Sequence, residues 1–473
     1  MYNFYNVQTD IANKIINDNA GITDLEFLKS EIDAFLNSKQ RKDMINAYNY
    51  LIGNHDILKR KRTVIGQNEC EEEARHLPNN KIVDNQYAKA VEQKTNYLFA
   101  REMTIEATNK EFEEKIKSLF DKRFSRMFRK LGENAINYGI GWLYVYIEND
   151  TIKFKNFAPY EILPFWSDEE QTELDMVVRV YYIEQYNKNS KDIVTKVEVY
   201  HKDKVDYYIY DTNLTLERSQ RYISLENNEK NVSFLTVPVI PFKSSSKEQP
   251  LLNRVKSLQD SLNLLKSNFA NVMEEDPRLS YLVLKGYGGT DLGEFRHNLA
   301  TYGILKIDSM DLSGAGLDIL NIEVNGENYT TIINMLKKSI IENANAFDVK
   351  DERLANNPNQ LNIRSMYSDI DLASNGLEIE FQCSLEILFD FFAIFFRIID
   401  NKDFSNEKVN VVFNKDQLLN SSEIINDLAT SYEMLSKETI LSKHPYVKDV
   451  QEELKRLKNE ETQLVDIDRY ANH

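Results

Sequence analysis

Apolar residues between Leu251 and Val272 recur at alternating steps of four and three positions. The seam positions are Leu251, Val255, Leu258, Leu262, Leu265, Phe269 and Val272. Their spacing predicts one apolar stripe along a helix of about 33 Å, at 1.5 Å per residue. So narrow a stripe favours a single partner helix over burial among helices on every side. A second stripe downstream provides that partner, so we expect a long helical hairpin. Its positions are Tyr329, Ile333, Leu336, Ile340 and Phe347.

The first 135 residues follow a helical period. In one helix, Leu25, Leu28, Ile32, Phe35 and Leu36 share a face. Thr23 or Asp24 is expected to cap it, because short polar side chains accept hydrogen bonds from the first free N–H groups. Two more helices are predicted over Tyr87–Phe99 and Phe112–Ile136.

The period then changes to short segments rich in aromatic and β-branched residues, separated by turn-forming residues. These are Trp142–Ile147, Thr151–Phe157, Met176–Tyr186, Thr195–His201 and Val205–Tyr210. They predict an antiparallel meander over about residues 141–210. Together with the helices, this meander gives an α+β fold class that is mainly α.

Beyond the first seam helix, residues 278–325 hold β-type runs that predict a small separate unit. A loop is expected over 348–362, followed by a helix from Ile363 to about Asp400, which Gly376 is expected to interrupt or kink. Helices are also expected in the tail. No internal repeat is visible.

Composition restricts the function classes. The chain has 473 residues with 42% hydrophobic content, 15 Gly and 9 Pro, which is typical of an ordered protein of two to four domains. Its formal charge of −17 argues against a general nucleic-acid coat, since phosphate affinity needs clustered Lys and Arg. Cys70 and Cys383 are far apart, which favours a reducing site of synthesis. We expect no signal peptide and no membrane span, because the most apolar run, 391–396, has six residues.

Motifs of catalysis and cofactor binding are missing from the sequence. There is no GxxxxGK[ST], HExxH or GxSxG. Gly286-Tyr287-Gly288-Gly289 lacks the third spaced glycine of a dinucleotide site and is interpreted as a tight turn. The histidines, His55 among them, are interpreted as surface residues. We therefore predict no enzyme, no cofactor and no bound metal. The basic run 59–62 is a candidate anionic-partner patch, although a solvated face fits better beside Glu71–Glu73.

An ordered set of short motifs resembles one protein family. It begins with Tyr48-Asn49-Tyr50-Leu51-Ile52-Gly53-Asn54-His55-Asp56-Ile57, which is similar to Y-x-x-G-x-H-x-I, and continues through 81–85, 90–99, 138–141 and 237–242. An Asn- and Pro-bearing loop before a long helix completes it. This order, over about residues 45–400, resembles the portal proteins of tailed bacteriophages, in the branch of long-tailed phages of Gram-positive hosts. Phe99-Ala100-Arg101 departs from the family, which usually has a glycine there.

The resemblance implies a ring of about twelve copies at one capsid vertex, a head–tail connector through which double-stranded DNA is packaged and ejected. It implies a virion protein assembled in the host bacterial cytoplasm, with no membrane partner. Its implied partners are the packaging motor (terminase), a head-completion adaptor, and capsid and scaffold proteins. The implied domains are a wing (1–249), stem helices (250–276 and 327–347), a clip (277–326), a tunnel loop (348–362), a wing helix (363–400) and a crown (401–473).

Two sets of site residues follow from that resemblance. The DNA-facing loop would present Asn356, Asn357, Asn359 and Gln360, and the clip would dock partners through Tyr287, Gly288 and Gly289. Uncharged amides at the loop tip predict low friction against DNA, because repeated lysines would bind phosphate strongly. Two alternatives remain at this point. One is another ring-shaped phage connector or baseplate protein, and the other is a cytosolic enzyme with an unrecognised acidic site.

Overall fold

A computed structural model describes residues 7–8, 24–65, 71–73, 77–187, 190–222, 234, 236–275, 280–285, 316–321, 326–348, 360–415, 421–432, 434–447, 450 and 453–459. The chain forms two compact units. The first unit comprises Met1–Ile52, Tyr87–Arg254 and Ile341–His473. The second unit comprises Gly53–Gln86 and Val255–Ile340.

The helices alternate with short strands along the chain. They are α1 (Asp24–Asn37), α2 (Lys39–Leu51), α3 (Gln86–Phe99), α4 (Lys110–Leu119), α5 (Lys122–Tyr138), α6 (Leu252–Glu275), α7 (Gly326–Asn343), α8 (Gln360–Ile399), α9 (Ser421–Thr430) and α10 (Lys437–Lys443). Residues 453–459 are also helical. The described chain therefore mixes helix and strand, and the predicted α+β class is confirmed.

The first unit contains two principal sheets. The strands of the larger one are β1 (Val7–Gln8), β7 (Ile162–Trp166), β8 (Leu174–Asn187), β9 (Ser190–Tyr200), β10 (Lys204–Tyr210) and β11 (Leu214–Arg221), in that spatial order. Among the described strands of this sheet, only β1 and β7 pair in parallel. The smaller sheet has the order β12 (Val239–Lys243), β5 (Ile140–Glu148) and β6 (Thr151–Phe157). A two-stranded pair joins β4 (Thr104–Ala107) to β15 (Val409–Val412).

The predicted meander is therefore divided between two sheets. The segments expected at Trp142–Ile147 and Thr151–Phe157 pair with each other, and the first of them also pairs with β12, whereas the other three segments belong to the larger sheet. Strands β7 and β11 of the larger sheet were not predicted. The strand β7 contains Pro164 and the exposed strand β11 is largely polar, so neither shows a clear alternating pattern.

An aromatic core holds the first unit together. Phe381 of α8 lies between rings from α3, α5 and β12, with centroid distances of 5.0 Å to Phe99, 5.8 Å to Phe128 and 5.0 Å to Phe242. Gly132 makes this packing possible, since a Cβ there would lie 2.4 Å from the Phe99 ring. A second core forms where α1 covers the larger sheet with Leu28, Ile32 and Phe35.

Two predicted helix boundaries were wrong. The helix expected over Phe112–Ile136 is two helices, α4 and α5, because Asp121 caps α5 and its Oδ1 accepts the N–H of Phe124 at 2.8 Å. The helix expected from Ile363 begins three residues earlier, at Gln360, and continues through Gly376 without a break. Neighbouring turns of α8 supply enough apolar contact to outweigh the low propensity of one glycine.

In the second unit, α6 and α7 occur with two short strand pairs. Strand β2 (Thr63–Ile65) pairs with β3 (Glu71–Glu73), and β13 (Ser280–Lys285) pairs with β14 (Gly316–Asn321), both antiparallel. Among the described residues, no helix combines the length and apolar content needed to cross a membrane.

Candidate functional site

A row of buried polar side chains runs along α6, beside its apolar stripe. They are Gln259, Asn263, Ser267 and Asn271, spaced four residues apart and almost completely buried. Each accepts a backbone N–H from the segment 80–86. The donors and acceptors are Asn80 to Asn271 (2.7 Å), Ile82 to Ser267 (2.9 Å), Asp84 to Asn263 (3.0 Å) and Gln86 to Gln259 (3.1 Å). We call this row the polar ladder.

The ladder works because two different backbone repeats nearly coincide. Four residues of an α-helix rise about 6.0 Å. Two residues of an extended chain advance about 6.6 Å. Alternate N–H groups of the segment 80–86 therefore meet side chains on every fourth position of α6. An N–H buried without an acceptor costs about 1–3 kcal/mol. A neighbouring strand would normally supply such acceptors. Here the side chains of the polar ladder supply them, so the segment can lie against a helix.

Asp84 connects the segment 80–86 to both α6 and α7. Its carboxylate accepts from the Lys266 ammonium of α6 and lies 3.3 Å from Lys337 Nζ of α7. Burial opposes ionisation of this carboxyl, but the hydrogen bonds from Lys266 and Gln86 and the charges of Lys266 and Lys337 outweigh it. The net result is a lowered pKa of Asp84. The segment is thus fixed in register by one ionised side chain as well as by the ladder.

His55 is fully buried against the same ladder, which corrects the expectation of a surface residue. Asn263 Nδ2 lies 2.8 Å from His55 Nδ1. The amide oxygen of Asn263 already accepts from Asp84 N–H and from Gln259 Nε2, so its nitrogen is the group that faces His55. The geometry therefore makes Nδ1 an acceptor, which requires the neutral imidazole with its proton on Nε2.

Several side chains of the basic run 59–62 bind other residues of the second unit. Arg60 donates to Asn268 Oδ1 at 2.7 Å, and Arg62 donates to the carbonyl of Pro78 at 2.6 Å. Lys59 lies 3.5 Å from Asp56. Lys61 is exposed. The run is therefore a set of anchors for the segment that follows it, rather than a continuous basic patch.

The apolar seam residues are buried to different degrees. Leu251, Val255, Leu262 and Ile340 are buried, whereas Leu258, Leu265, Phe269, Val272, Tyr329, Ile333 and Leu336 are half-buried. Phe269 of α6 and Tyr329 of α7 contact each other, with ring centroids 4.9 Å apart. Ile332 and Met335 on α7 are exposed. The two stripes thus meet at least at one aromatic pair, and most of their members keep part of their surface accessible.

The chain leaving α7 is anchored in the first unit by an aromatic group. The rings of Phe347 and Tyr367 pack against each other at a tilt of 35° with centroids 4.7 Å apart, and Tyr367 stacks on Tyr97 at 5.8 Å. Lys94 donates to the carbonyl of Ala344 at 3.0 Å. Burial, with a smaller effect from the charge of Arg254, lowers the pKa of Lys94 to about 8. Residues on both sides of the predicted tunnel loop are therefore held by one cluster.

The predicted loop and clip residues lie mostly outside the described part of the chain. This applies to Asn356, Asn357 and Asn359, and to Tyr287, Gly288 and Gly289. Gln360 is the first residue of α8 instead of a loop residue. No cluster of His, Cys, Asp and Glu suited to a metal ion occurs among the described ranges.

The sequence of this chain is similar to known proteins over most of its length. The family described as "Phage portal protein, SPP1 Gp6-like" matches residues 36–465. The chain belongs to this phage portal protein family. It is 28% identical to the portal protein of Clostridium phage phiCD119 over 444 residues, which is 91% of this chain and 94% of that protein. It is 23% identical to the portal protein of Bacillus phage SPP1, over 92% of this chain and 87% of that protein.

Family membership confirms the resemblance seen in the sequence. The family is structural, so the prediction that this chain is not an enzyme is also confirmed. His55 and Asp84, which belong to the short motifs of that resemblance, both bind Asn263 of α6. The ladder itself was missed, although four uncharged polar residues at a strict spacing of four were visible in the sequence.

Proposed function

We propose that copies of this chain assemble into a ring of about twelve at one capsid vertex, and that double-stranded DNA passes through it during packaging and ejection. The observation that carries this proposal is the family match over residues 36–465, which includes α6, α7 and everything between them. The ring would be built in the host bacterial cytoplasm and become a virion component.

In this proposal α6 and α7 are the stem that surrounds the channel. The half-buried seam residues and the exposed Ile332 and Met335 leave apolar surface that a neighbouring copy would cover. Closed rings cover such surface by repeating one interface around an axis. The polar ladder and Asp84 would keep the segment 80–86 in register with α6 and α7 when force acts along the stem.

The segment 277–326 is proposed as the clip. It would dock the packaging motor (terminase) and the head-completion adaptor through Tyr287, Gly288 and Gly289. The wing (1–249 and 363–400) and crown (401–473) would contact capsid and scaffold proteins. Within the clip, β13 and β14 pair over six residues, which gives it an ordered base.

The tunnel loop is proposed to touch DNA through Asn356, Asn357 and Asn359, followed by Gln360 at the first position of α8. Amides exchange hydrogen bonds with phosphates and water at a small net free energy for each bond. At −17 per chain, about twelve copies would carry roughly −200 formal charges, screened beyond a Debye length, which favours a centred duplex.

Electron microscopy of the purified chain and of the phage head tests the ring. We expect a ring with an axial hole wide enough for a DNA duplex, at a mass of about twelve times 55.3 kDa. A chain that stays a single 55.3 kDa species in solution and forms no ring in assembled heads would refute the proposal.

Substitution at the loop tip tests contact with DNA. Asn357→Lys adds one cation per copy, and release of counterions should slow or stall packaging. Asn357→Gln keeps a neutral amide and is the matched control, with packaging close to wild type. If Asn357→Lys rings of normal appearance package DNA as fast as the wild type, that result would contradict a DNA-facing loop.

A further inference from the structure

Helix α5 carries a one-sided basic surface in an otherwise acidic protein. The five residues are Lys122, Arg123, Arg126, Arg129 and Lys130, and all are exposed. At 100° per residue they occupy an arc of about 120° and a length of about 12 Å. Phe124, Phe128 and Leu131 lie on the opposite, buried face of the same helix. We call this set the basic face.

The basic face is unfavourable for the stability of α5 alone. Its charges lie in the first half of the helix, where the macrodipole is already positive, so each cation there is destabilising. Neighbours three and four residues apart repel one another as well. Arg129 bonds Asn96 Oδ1 at 2.7 Å and Lys130 pairs with Glu133 at 2.5 Å.

The remaining three cations of the basic face have no such compensation. Lys122, Arg123 and Arg126 form no ion pair with any residue in the described part of the chain. Most solvated helix faces alternate charges of both signs, and this one does not. A surface that is unfavourable by itself and uncompensated within the chain is suited to an external anionic partner.

A cavity of about 290 Å³ adjoins this helix. Its apolar lining includes Phe99, Met103, Phe120, Phe124 and Phe128. Phe124, Ser125 and Phe128 come from α5 itself. The charged residues in the lining are Arg101, Lys117 and Glu102, so cations predominate there too. Ser125 lies about 40° around α5 from Arg129, so the apolar recess and the row of exposed cations meet along one edge of this helix.

We propose that the basic face and this cavity together bind an acidic segment of a partner protein, with one large apolar side chain of that segment in the cavity. The 12 Å length of the basic face matches about four residues of extended chain. The cavity decides between anionic partners, because a DNA backbone offers phosphates to the cations but no apolar group to the recess.

Fluorescence anisotropy with the purified full-length chain tests this. The probe is a short labelled peptide of Asp and Glu with one central Phe, and the matched probe has Ser in place of Phe. We expect the Phe peptide to bind about tenfold more tightly, since filling an apolar pocket contributes about 1.4 kcal/mol or more. Arg123→Glu with Arg126→Glu should weaken binding by more than about tenfold.

Two variants serve as controls for charge and for the cavity. Lys42→Glu with Lys89→Glu makes the same change in net charge at exposed lysines of α2 and α3, and should alter affinity by less than about twofold. Ser125→Trp fills the cavity and should abolish the preference for Phe over Ser while retaining salt-sensitive binding. Circular dichroism verifies the fold of each variant.

Three results would overturn the proposal. They are no binding of either peptide, equal affinity for the Phe and Ser peptides in the wild type, and equal losses in the Lys42/Lys89 control. A short DNA duplex is measured alongside. Binding of the duplex that exceeds that of the Phe peptide and depends on Arg123 and Arg126 would assign the basic face to nucleic acid and refute a protein partner.

Discussion

The contacts around Phe381 of α8 in the first unit differ in kind from those that α6 makes in the second unit. In the first unit, the rings around Phe381 give a core of non-directional contacts that neighbouring side chains can share. In the second unit, α6 holds the segment 80–86 through single hydrogen bonds, each with one donor and one acceptor. A packed apolar core tolerates adjustment, whereas a buried hydrogen bond is either made or lost. The packing of the segment 80–86 on α6 should therefore depend more on the chemistry of individual residues than the packing around Phe381 does.

The largest expected effect is at the centre of the ladder. Asn263→Leu keeps the number and branching of the side-chain heavy atoms, but it removes the acceptor for Asp84 N–H and Gln259 Nε2 and the donor to His55. Asp84 N–H and His55 Nδ1 each lose a buried hydrogen bond at about 1–3 kcal/mol, whereas Gln259 Nε2 still donates to the Asp84 carbonyl at 2.7 Å. We therefore expect a loss of about 2–5 kcal/mol in the free energy of unfolding. Hydrogen exchange should rise at the N–H groups of residues 80–86.

Asn334→Leu is the matched control, because Asn334 is an exposed residue of α7 in the same unit. It should change the free energy of unfolding by less than about 0.5 kcal/mol. Equal effects of the two variants would show that the ladder contributes nothing beyond what a surface position does.

The predictability of the two units from sequence differs for the same reason. Strand β6 was predicted with its observed bounds, and α3 with one residue of difference, because alternation and helical period follow local burial. Gln259 and Asn271 looked like ordinary polar neighbours of an apolar stripe. Their partners lie more than 170 residues earlier, and no periodic pattern reports hydrogen bonds to backbone N–H groups at that distance.

The next effect concerns charge in the second unit. Asp84→Asn keeps the size of the side chain but removes its attraction to Lys266 and Lys337. We expect a loss of about 1–2 kcal/mol at pH 7, discounted for partial exposure. Asp260→Asn, in a half-exposed pair with Lys256 at 2.7 Å, is the control and should cost less than about 1 kcal/mol.

The pH dependence of Asp84 has a defined sign. Its pKa is lower in the folded state than its ordinary value, so its stabilising contribution is present above that ordinary value and is lost as pH falls through the folded pKa. The difference in stability between the wild type and Asp84→Asn should therefore stay constant from pH 6 to about pH 4 and shrink only below that pH. A difference that does not shrink below about pH 4 would contradict an ionised Asp84 in the folded protein.

A smaller loss is expected from a comparable change in the first unit. Phe381→Leu replaces one fully buried ring by another apolar side chain among Phe99, Phe128 and Phe242. Because the neighbouring rings can move into part of the space, we expect a loss of about 1.5 kcal/mol or less in urea unfolding. A loss as large as that of Asn263→Leu would remove the contrast between the two units.

The smallest effect is expected at the aromatic cluster beside the predicted tunnel loop. Tyr97→Phe removes one hydroxyl, which donates to Asp371 Oδ1 at 2.9 Å, and keeps the ring stacked on Tyr367. Asp371 still pairs with Lys415 at 2.9 Å, so its carboxylate keeps a partner and the loss should be about 0.5–1 kcal/mol. Tyr97→Leu, which also loses the stack, should cost about 1 kcal/mol more. Equal losses for Phe and Leu would mean that the hydroxyl, and not the ring, holds this cluster. Even the first unit would then depend on a single polar contact next to the loop.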